Sequence, residues 1–420
     1  MAKLILEGGK PLRGEIGVCG AKNAALPILA ATILCGGVCR IHNCPRLSDV
    51  DAAMKILAHL GCVCTREGDG VTVDSSNMTS CEIPDDLMRE MRSSIVFLGA
   101  IAGRCREARL SFPGGCELGP RPIDLHLQAL RALGLTIDEA HGGLDCRTDG
   151  LKGCEITLSI PSVGATENIL LTASVAEGKT IIRNAAREPE ISDLADFLNS
   201  AGARIQGAGS SNIEIEGVRA LHPTEHTVIP DRIIATTYMA AAAVTGGRVR
   251  LTNILPSHLI PVLEYFRVAG CCLDVAERSL LLEAPPRLRR IPTVRTMAYP
   301  GFPTDAQPPV LAMSTVADGT SVFVENIFEN RFRYVDELVR MGAKIKVEGR
   351  VAVVEGVPRL SGAKTEATDL RGGAAVVVAA LGAEGRTEIS NIGHIRRGYE
   401  NLEERLSSIG ATIWEEKDEA

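Results

Sequence analysis

The sequence predicts an α/β chain made by repetition, with six similar units grouped three to a domain. Three observations carry that prediction. A signature of helix end, glycine and strand start recurs as LGCVC, LGLTI, AGARI, AGCCL, MGAKI and IGATI, with its glycines at 61, 134, 202, 270, 342 and 410. The intervals between those glycines run only from 68 to 73 residues, so the units fill the whole chain. Within each unit, short apolar runs of strand length alternate with longer stretches of helical period.

Each unit opens on a short strand, as in LILEG (4–8), VTVDS (71–75), IEIEG (213–217) and VAVVEG (351–356), and a second strand follows. An apolar helix comes next, expected near 21–36, 91–102, 165–177, 231–245, 305–318 and 369–384. Strands such as KTIIRN, RVRLTN, SVFVEN and TEISN lead into a second, amphipathic helix. Its period is clearest in YVDELVRMG (334–342), where Val335, Leu338 and Val339 are expected to share a face. Glycine then supplies the helix exit. Asn43, Asn184, Asn253, Asn326 and Asn391 all stand just past the middle strand, a place where a capping or turn-forming side chain is useful.

Repeat parity puts a boundary near 229, in LHPTEHTVIPDR. One domain then spans 21–229 and carries the loop 112–122; the second combines 1–20 with 230–420. The opening strands within 1–20 are expected to pair with the sixth unit. Two chain crossings would hinge the domains and leave a cleft that can shut a ligand away from water.

Composition narrows the function. The 420 residues are 45% apolar and only 3% aromatic, enough for two cores filled by Leu, Ile, Val and Ala. A net charge of −7 disfavours nucleic acid and anionic membrane as partners but leaves room for a small anionic substrate in one positive cleft. Thirteen cysteines, an odd number without a secretory signal, read as reduced cytoplasmic thiols. Cys62, Cys64, Cys271 and Cys272 lie in apolar runs and are expected to be buried small hydrophobes. The run 24–35 is too short for a bilayer and contains Pro27. No GxGxxG follows a strand, and P-loop, HExxH and CxxC patterns are absent, so neither a cofactor nor a metal is expected.

The second unit alone lacks the asparagine and carries about five extra residues in 112–120, so PGGCELGPRP (113–122) is an insertion into a periodic scaffold. Its Cys116, between glycines and close to Arg121, suits an acid or a nucleophile. The first helices begin beside polar groups: Lys22 and Asn23, Arg92, Thr166 and Glu167, Asp231 and Arg232, Thr304 and Asp305, Asp369 and Arg371. Lys22, Arg92 and Arg371 oppose the helix macrodipole there and read as ligand groups, because free N–H groups beside a cation bind anions. Arg331 and the pair Arg396–Arg397 precede second helices. Recurrence at equivalent positions points to a polyanionic organic substrate, and PSVGATEN (161–168) is suited to cradle a phosphate.

The stretches KNAALP (22–27), MRSS (91–94), PGGCELGPRPIDLHL (113–127), PSVGATEN (161–168), YPGFPTD (299–305), ENRF (329–332), DLRGGAA (369–375) and HIRRGYEN (394–401) resemble those of the UDP-N-acetylglucosamine 1-carboxyvinyltransferases, the enolpyruvyl transferases that open bacterial peptidoglycan synthesis. The resemblance covers essentially the whole chain. It implies an inside-out α/β barrel fold in two domains. It also implies transfer of the enolpyruvyl group of phosphoenolpyruvate to the 3′-hydroxyl of UDP-N-acetylglucosamine, with release of phosphate, in the cytoplasm. It places Lys22, Arg121 and Arg397 on phosphoenolpyruvate, with Arg92, Arg331 and Arg371 in support. The UDP-sugar would meet Asn23, Arg92, Arg121, Pro122, Ile123, Asp124, Leu125, Ser162, Val163, Gly164, Asp305 and Ile327. Cys116 would be the proton donor and the site of a pyruvate adduct and of fosfomycin alkylation; Asp305 would be the base. Departures from the family pattern are Ile160 for lysine, Ile234 for glutamate, Ala306 for methionine, Gly372 for alanine and Arg396 for aspartate. Two rivals stand beside this reading: a 3-phosphoshikimate enolpyruvyl transferase, which lacks the cysteine loop, and a catalytically silent UDP-sugar-binding regulator.

Overall fold

The computed structural model describes residues 2–91, 93–112, 123–140 and 142–417. The chain divides into two compact units. Among the described residues, one holds 20–229 and the other holds 2–19 together with 230–417. Each contains three four-stranded sheets built to one plan, in which the first strand pairs parallel with the second and the third and fourth add antiparallel. In Lys179–Arg183, for example, Glu155–Thr157 pairs on one side and Asn212–Glu216 on the other, with Arg204–Gln206 at the edge.

The sheets are half-buried and the first helices largely buried. Lys179–Arg183 buries Thr180 and Ile182 and exposes Lys179 and Arg183, the alternation of a sheet with one face to solvent. Lys22–Cys35, by contrast, buries every residue except Asn23. A helix apolar on all sides needs protein all round it. In the 20–229 unit Lys22–Cys35, Phe97–Cys105 and Val163–Ala173 pack on one another; in the other unit Arg232–Val244, Gln307–Ser314 and Leu370–Gly382 do the same. Each unit is therefore an α/β barrel turned inside out, with helices within and sheets without.

Sheet closure differs from the expectation for the opening strands. Ala2–Glu7 does join the sixth repeat, lying between Arg386–Ser390 and Thr412–Lys417. Arg13–Gly17 instead runs parallel to Arg248–Thr252 of the fourth repeat. Lys364–Glu366 already fills the parallel place beside Arg386–Ser390, so Arg13–Gly17 supplies the parallel strand of the fourth-repeat sheet instead. In the other unit Glu225–Thr227 closes on Val38–His42 in the same manner.

The recurring asparagines have one structural role. Asn43, Asn184 and Asn253 donate from Nδ2 to the carbonyls of Val228, Leu158 and Val18 at 2.8, 2.9 and 2.7 Å. Each acceptor follows the parallel strand of the same sheet, so the amide ties that strand's end. Asn326 does so to Thr296 at 3.1 Å, and Asn391 reaches the Glu366 carboxylate at 3.4 Å. Asn43, Asn184, Asn253 and Asn391 have φ between 51° and 57°, a left-handed conformation that asparagine tolerates. The six closing glycines lie between φ 92° and 102°, where a side chain is strained.

Two expectations about burial fail. Val335 and Leu338 are buried in Val335–Arg340, but Val339 is 45% exposed. The helix is short and entered through the 3₁₀ turn Arg331–Tyr334, so its inward stripe runs through Tyr334, Leu338 and Met341 instead. Cys62 and Cys271 are buried, whereas Cys64 is half-buried and Cys272 exposed, because alternate residues of an outer strand turn to solvent.

Candidate functional site

In the unit that holds 230–417, a buried charge cluster forms at the N-terminal ends of the inner helices. Asp305 stands in the 3₁₀ turn Thr304–Ala306. Its Oδ1 accepts from Arg331 Nη2 at 2.9 Å and its Oδ2 from Arg371 Nε at 3.2 Å. Both guanidiniums are nearly inaccessible, at 1% and 2% exposure, while the carboxylate is 28% exposed. Arg331 also donates to the Thr304 carbonyl at 2.8 Å. Arg371 enters the helix Leu370–Gly382 behind Asp369, whose side chain accepts from the N–H groups of Arg371 and Gly372 at 3.0 Å each. The Arg371 guanidinium sits 5.5 Å from the Tyr399 ring, and neither of its Nη atoms meets hydrogen-bond geometry among the described residues. A buried cation with donors to spare suits an incoming oxyanion.

Glu325, absent from the sequence reading, organises the loop that carries Ile327. It is fully buried, accepts from the N–H groups of Ile327 and Phe328 at 2.8 and 3.0 Å, and takes the Thr304 hydroxyl at 3.1 Å. Ile327 is thereby left 44% exposed on a loop tied to the turn of Asp305. Arg397 is half-buried and follows the helix Gly393–Arg396. Its neighbour Arg396 turns to acids, pairing with both Glu403 oxygens at 2.6 Å and with Glu415 at 2.8 Å. Ile234 is buried in Arg232–Val244, where Asp231 caps the first turn. Gly372 is forced by close approach: a Cβ there would lie 2.6 Å from an Asp369 oxygen and 2.8 Å from the Tyr334 Cβ.

In the unit that holds 20–229, Lys22 opens its helix, 9% exposed, with Nζ 3.1 Å from the Asp49 carboxylate. Asp49 opens the next helix, Ser48–His59, twenty-seven positions on in the sequence. Asn23 is half-buried beside Lys22. Ser162 caps Val163–Ala173 by accepting from the Ala165 N–H at 3.3 Å, and Ser162, Val163 and Gly164 are all half-buried. Asp124 is exposed at the start of Asp124–Ala132, with Ile123 and Leu125 half-buried around it. That helix packs on Val163–Ala173 and brings His126 against Gly164. Burial drives the His126 imidazole pKa down to about 4. Glu167, in the same helix, is pushed up to about 8 by burial first and then by Glu190 and Glu188. Ile160 is 61% exposed just before the helix.

Arg92, Cys116, Arg121 and Pro122 lie outside the described residues. The structure thus joins Asp305, Arg331 and Arg371 directly, and Ile327 through Glu325; in the other unit it joins Ser162, Val163 and Gly164 to the helix of Asp124 and Leu125. Sequence reasoning missed Asp49, Glu325, His126 and Asn168. The last two stand inside the stretches PRPIDLHL and PSVGATEN, and their place there was the available signal.

The profile of the EPSP synthase (3-phosphoshikimate 1-carboxyvinyltransferase) family matches residues 6–406, which places the chain among the carboxyvinyl transferases. Among solved structures, the enolpyruvyl transferase NikO from Streptomyces tendae superposes with a TM-score of 0.89 at 28% identity, covering 99% of this chain and 98% of that one. An EPSP synthase from Acinetobacter baumannii has a TM-score of 0.76 at 19% identity over 99% of this chain and 100% of its own, a likeness of fold alone. The chain belongs to the UDP-N-acetylglucosamine 1-carboxyvinyltransferase family. It is 53% identical to the protein of that name, copy 2, from Caldanaerobacter subterraneus, over 98% of this chain and 99% of the relative. It is 47% identical to the Geobacter metallireducens protein and 46% to that of Myxococcus xanthus, again over nearly full lengths. No helix among the described residues is long and apolar enough to cross a membrane.

Proposed function

We propose that this chain transfers the enolpyruvyl group of phosphoenolpyruvate to the 3′-hydroxyl of UDP-N-acetylglucosamine and releases phosphate, the opening step of peptidoglycan synthesis in the cytoplasm. Relatives that carry the activity in their names support the reaction over almost the full chain. The geometric observation that carries the chemistry is the Asp305 carboxylate held between two buried guanidiniums, each with a nitrogen that has no hydrogen-bond partner among the described residues.

The reaction adds an alcohol across a carbon–carbon double bond and then eliminates phosphate. Cys116 gives a proton to the methylene carbon while the 3′-oxygen bonds to the neighbouring carbon, and Asp305 takes the hydroxyl proton. The two guanidiniums fix that carboxylate's direction, and an ionised carboxylate is an acceptor-only group suited to take the hydroxyl proton. Lys22, Arg121 and Arg397 hold the oxyanions of phosphoenolpyruvate. Arg92, Arg331 and Arg371 support the phosphate or carboxylate, stabilising the anionic addition intermediate. The carbon–oxygen bond to phosphate then breaks, the methyl carbon returns a proton to the Cys116 thiolate, and the double bond re-forms as the enol ether of the sugar. Asn23, the stretch Arg121–Leu125, Ser162–Gly164 and Ile327 seat the UDP-sugar.

Substitution at 116 tests this assignment. Cys116→Ala is expected to abolish phosphate release with both substrates present, and Cys116→Asp to retain it as an acid while losing alkylation by fosfomycin, read by intact mass. Full turnover in Cys116→Ala, or undiminished alkylation in Cys116→Asp, contradicts the assignment.

A further inference from the structure

Three hydrogen bonds decide where one imidazole carries its proton. Asn168 Oδ1 accepts from the backbone N–H of Gly99 at 2.7 Å, and a backbone N–H can only donate, so the amide oxygen is fixed there. Asn168 Nδ2 then gives its two hydrogens to the Ile95 carbonyl at 3.1 Å and to His126 Nδ1 at 2.8 Å. An amide NH₂ offers no lone pair to a donor. His126 Nδ1 must therefore accept, and the ring proton resides on Nε2. The ring is 8% exposed, and burial keeps it uncharged.

Its other edge lies on a helix N-terminus. A Cβ built on Gly164 would stand 2.8 Å from His126 Cε1 and 3.1 Å from Nε2, so the absent side chain lets the ring approach the first turn of Val163–Ala173. Ser162 uses its hydroxyl on the Ala165 N–H. The N–H groups of Val163 and Gly164 have no acceptor among the described residues, and neither has His126 Nε2. Three donors around one turn, with an imidazole more than nine-tenths buried among them, match an anion.

We infer that His126 is a substrate-binding residue whose neutral Nε2–H donates to a diphosphate oxygen of the nucleotide-sugar seated on Ser162, Val163 and Gly164. This rests on the reading that those three residues receive the UDP-sugar. Asn168 is the positioning residue behind it, holding the tautomer without touching the ligand. A donor that stays neutral adds a hydrogen bond to the diphosphate that does not switch across neutral pH.

Steady-state kinetics on the full chain test this, with UDP-N-acetylglucosamine and phosphoenolpyruvate varied in turn. His126→Asn keeps an amide facing Asn168 and removes the Nε2–H, whereas His126→Gln puts an amide N–H near the Nε2 position. His126→Asn is expected to raise KM for the UDP-sugar about 10- to 100-fold, the usual effect of one hydrogen bond to a charged group, with KM for phosphoenolpyruvate within about twofold. His126→Gln is expected to recover most of that loss. An unmoved KM for the UDP-sugar, or an equal rise for both substrates, overturns the inference. ¹⁵N NMR of the wild-type imidazole gives a readout free of any variant: a bare Nδ1 and a protonated Nε2 across neutral pH support it, and a proton on Nδ1 overturns it. A wild type that releases no phosphate with the two substrates overturns the functional reading and this inference together, whereas a competent wild type with an unmoved His126→Asn overturns the inference alone.

Discussion

Asp305 is fixed by opposing guanidiniums of Arg331 and Arg371, from different repeats of one unit. Asp305→Asn keeps the shape but removes the basic lone pairs, so kcat is expected to fall about 10²- to 10⁴-fold, measured as phosphate release with both substrates saturating. A loss of less than about threefold would remove Asp305 as the base. Glu167 gives a second expectation. Its carboxyl, ordinarily near 4.5, lies near 8 in the fold, so between those values the native state keeps a proton that the unfolded chain has lost. Stability should therefore fall as pH rises through that window, by up to about 1.4 kcal/mol per unit, and be unaffected below it. Urea titrations of Glu167→Gln should show that slope removed; an identical pH profile to wild type contradicts it. At this scale the sequence revealed the charged residues because helix starts repeat at equivalent positions. It did not reveal Asp49, Glu325 or Asn168, whose contacts reach residues 21 to 73 positions away, and no periodicity encodes such pairs.

Elements were legible where one physical cause repeats. The closing glycines and the post-strand asparagines announce turns, and the structure places the glycines and Asn43, Asn184, Asn253 and Asn391 in the left-handed region, with the amides of Asn43, Asn184 and Asn253 tied to the end of the parallel strand. Asn184→Ala is expected to cost about 2 kcal/mol, from the strained φ and the lost hydrogen bond, and Asn184→Gly about half that, because glycine relieves the strain. Equal losses in urea denaturation would show that the conformation is not the cause. Gly372→Ala, toward the family's usual residue, should destabilise by about 1–3 kcal/mol, since the new methyl meets the Tyr334 Cβ and the capping Asp369. A neutral Gly372→Ala would show that this turn relaxes freely. Boundaries were less legible. The helix expected at 91–102 is Phe97–Cys105, preceded by a separate short helix Asp85–Glu90 and a 3₁₀ turn, because Met91 is extended and interrupts the run. Val339 failed for a related reason: the 3₁₀ entry rotates the inward stripe.

The described residues form two hydrophobic cores, one within each unit, both built mainly from Ala, Leu, Ile and Val. Separate cores predict departure from a single two-state transition, so the calorimetric enthalpy of unfolding should exceed the van't Hoff value; equality would show the units melt as one. The repeat order was readable because each repeat lays an apolar helix beside short strands, whereas the inside-out plan was implied by the family resemblance and not by the pattern itself. Closure by Arg13–Gly17 was not readable, since strand partners far apart in sequence leave no local trace. The reaction assigned to the molecule stands or falls on its acceptor. Phosphate release should be measured with phosphoenolpyruvate and, in parallel, UDP-N-acetylglucosamine or shikimate 3-phosphate. Release with the UDP-sugar alone is the predicted result, and release with shikimate 3-phosphate alone, or with neither, would contradict it.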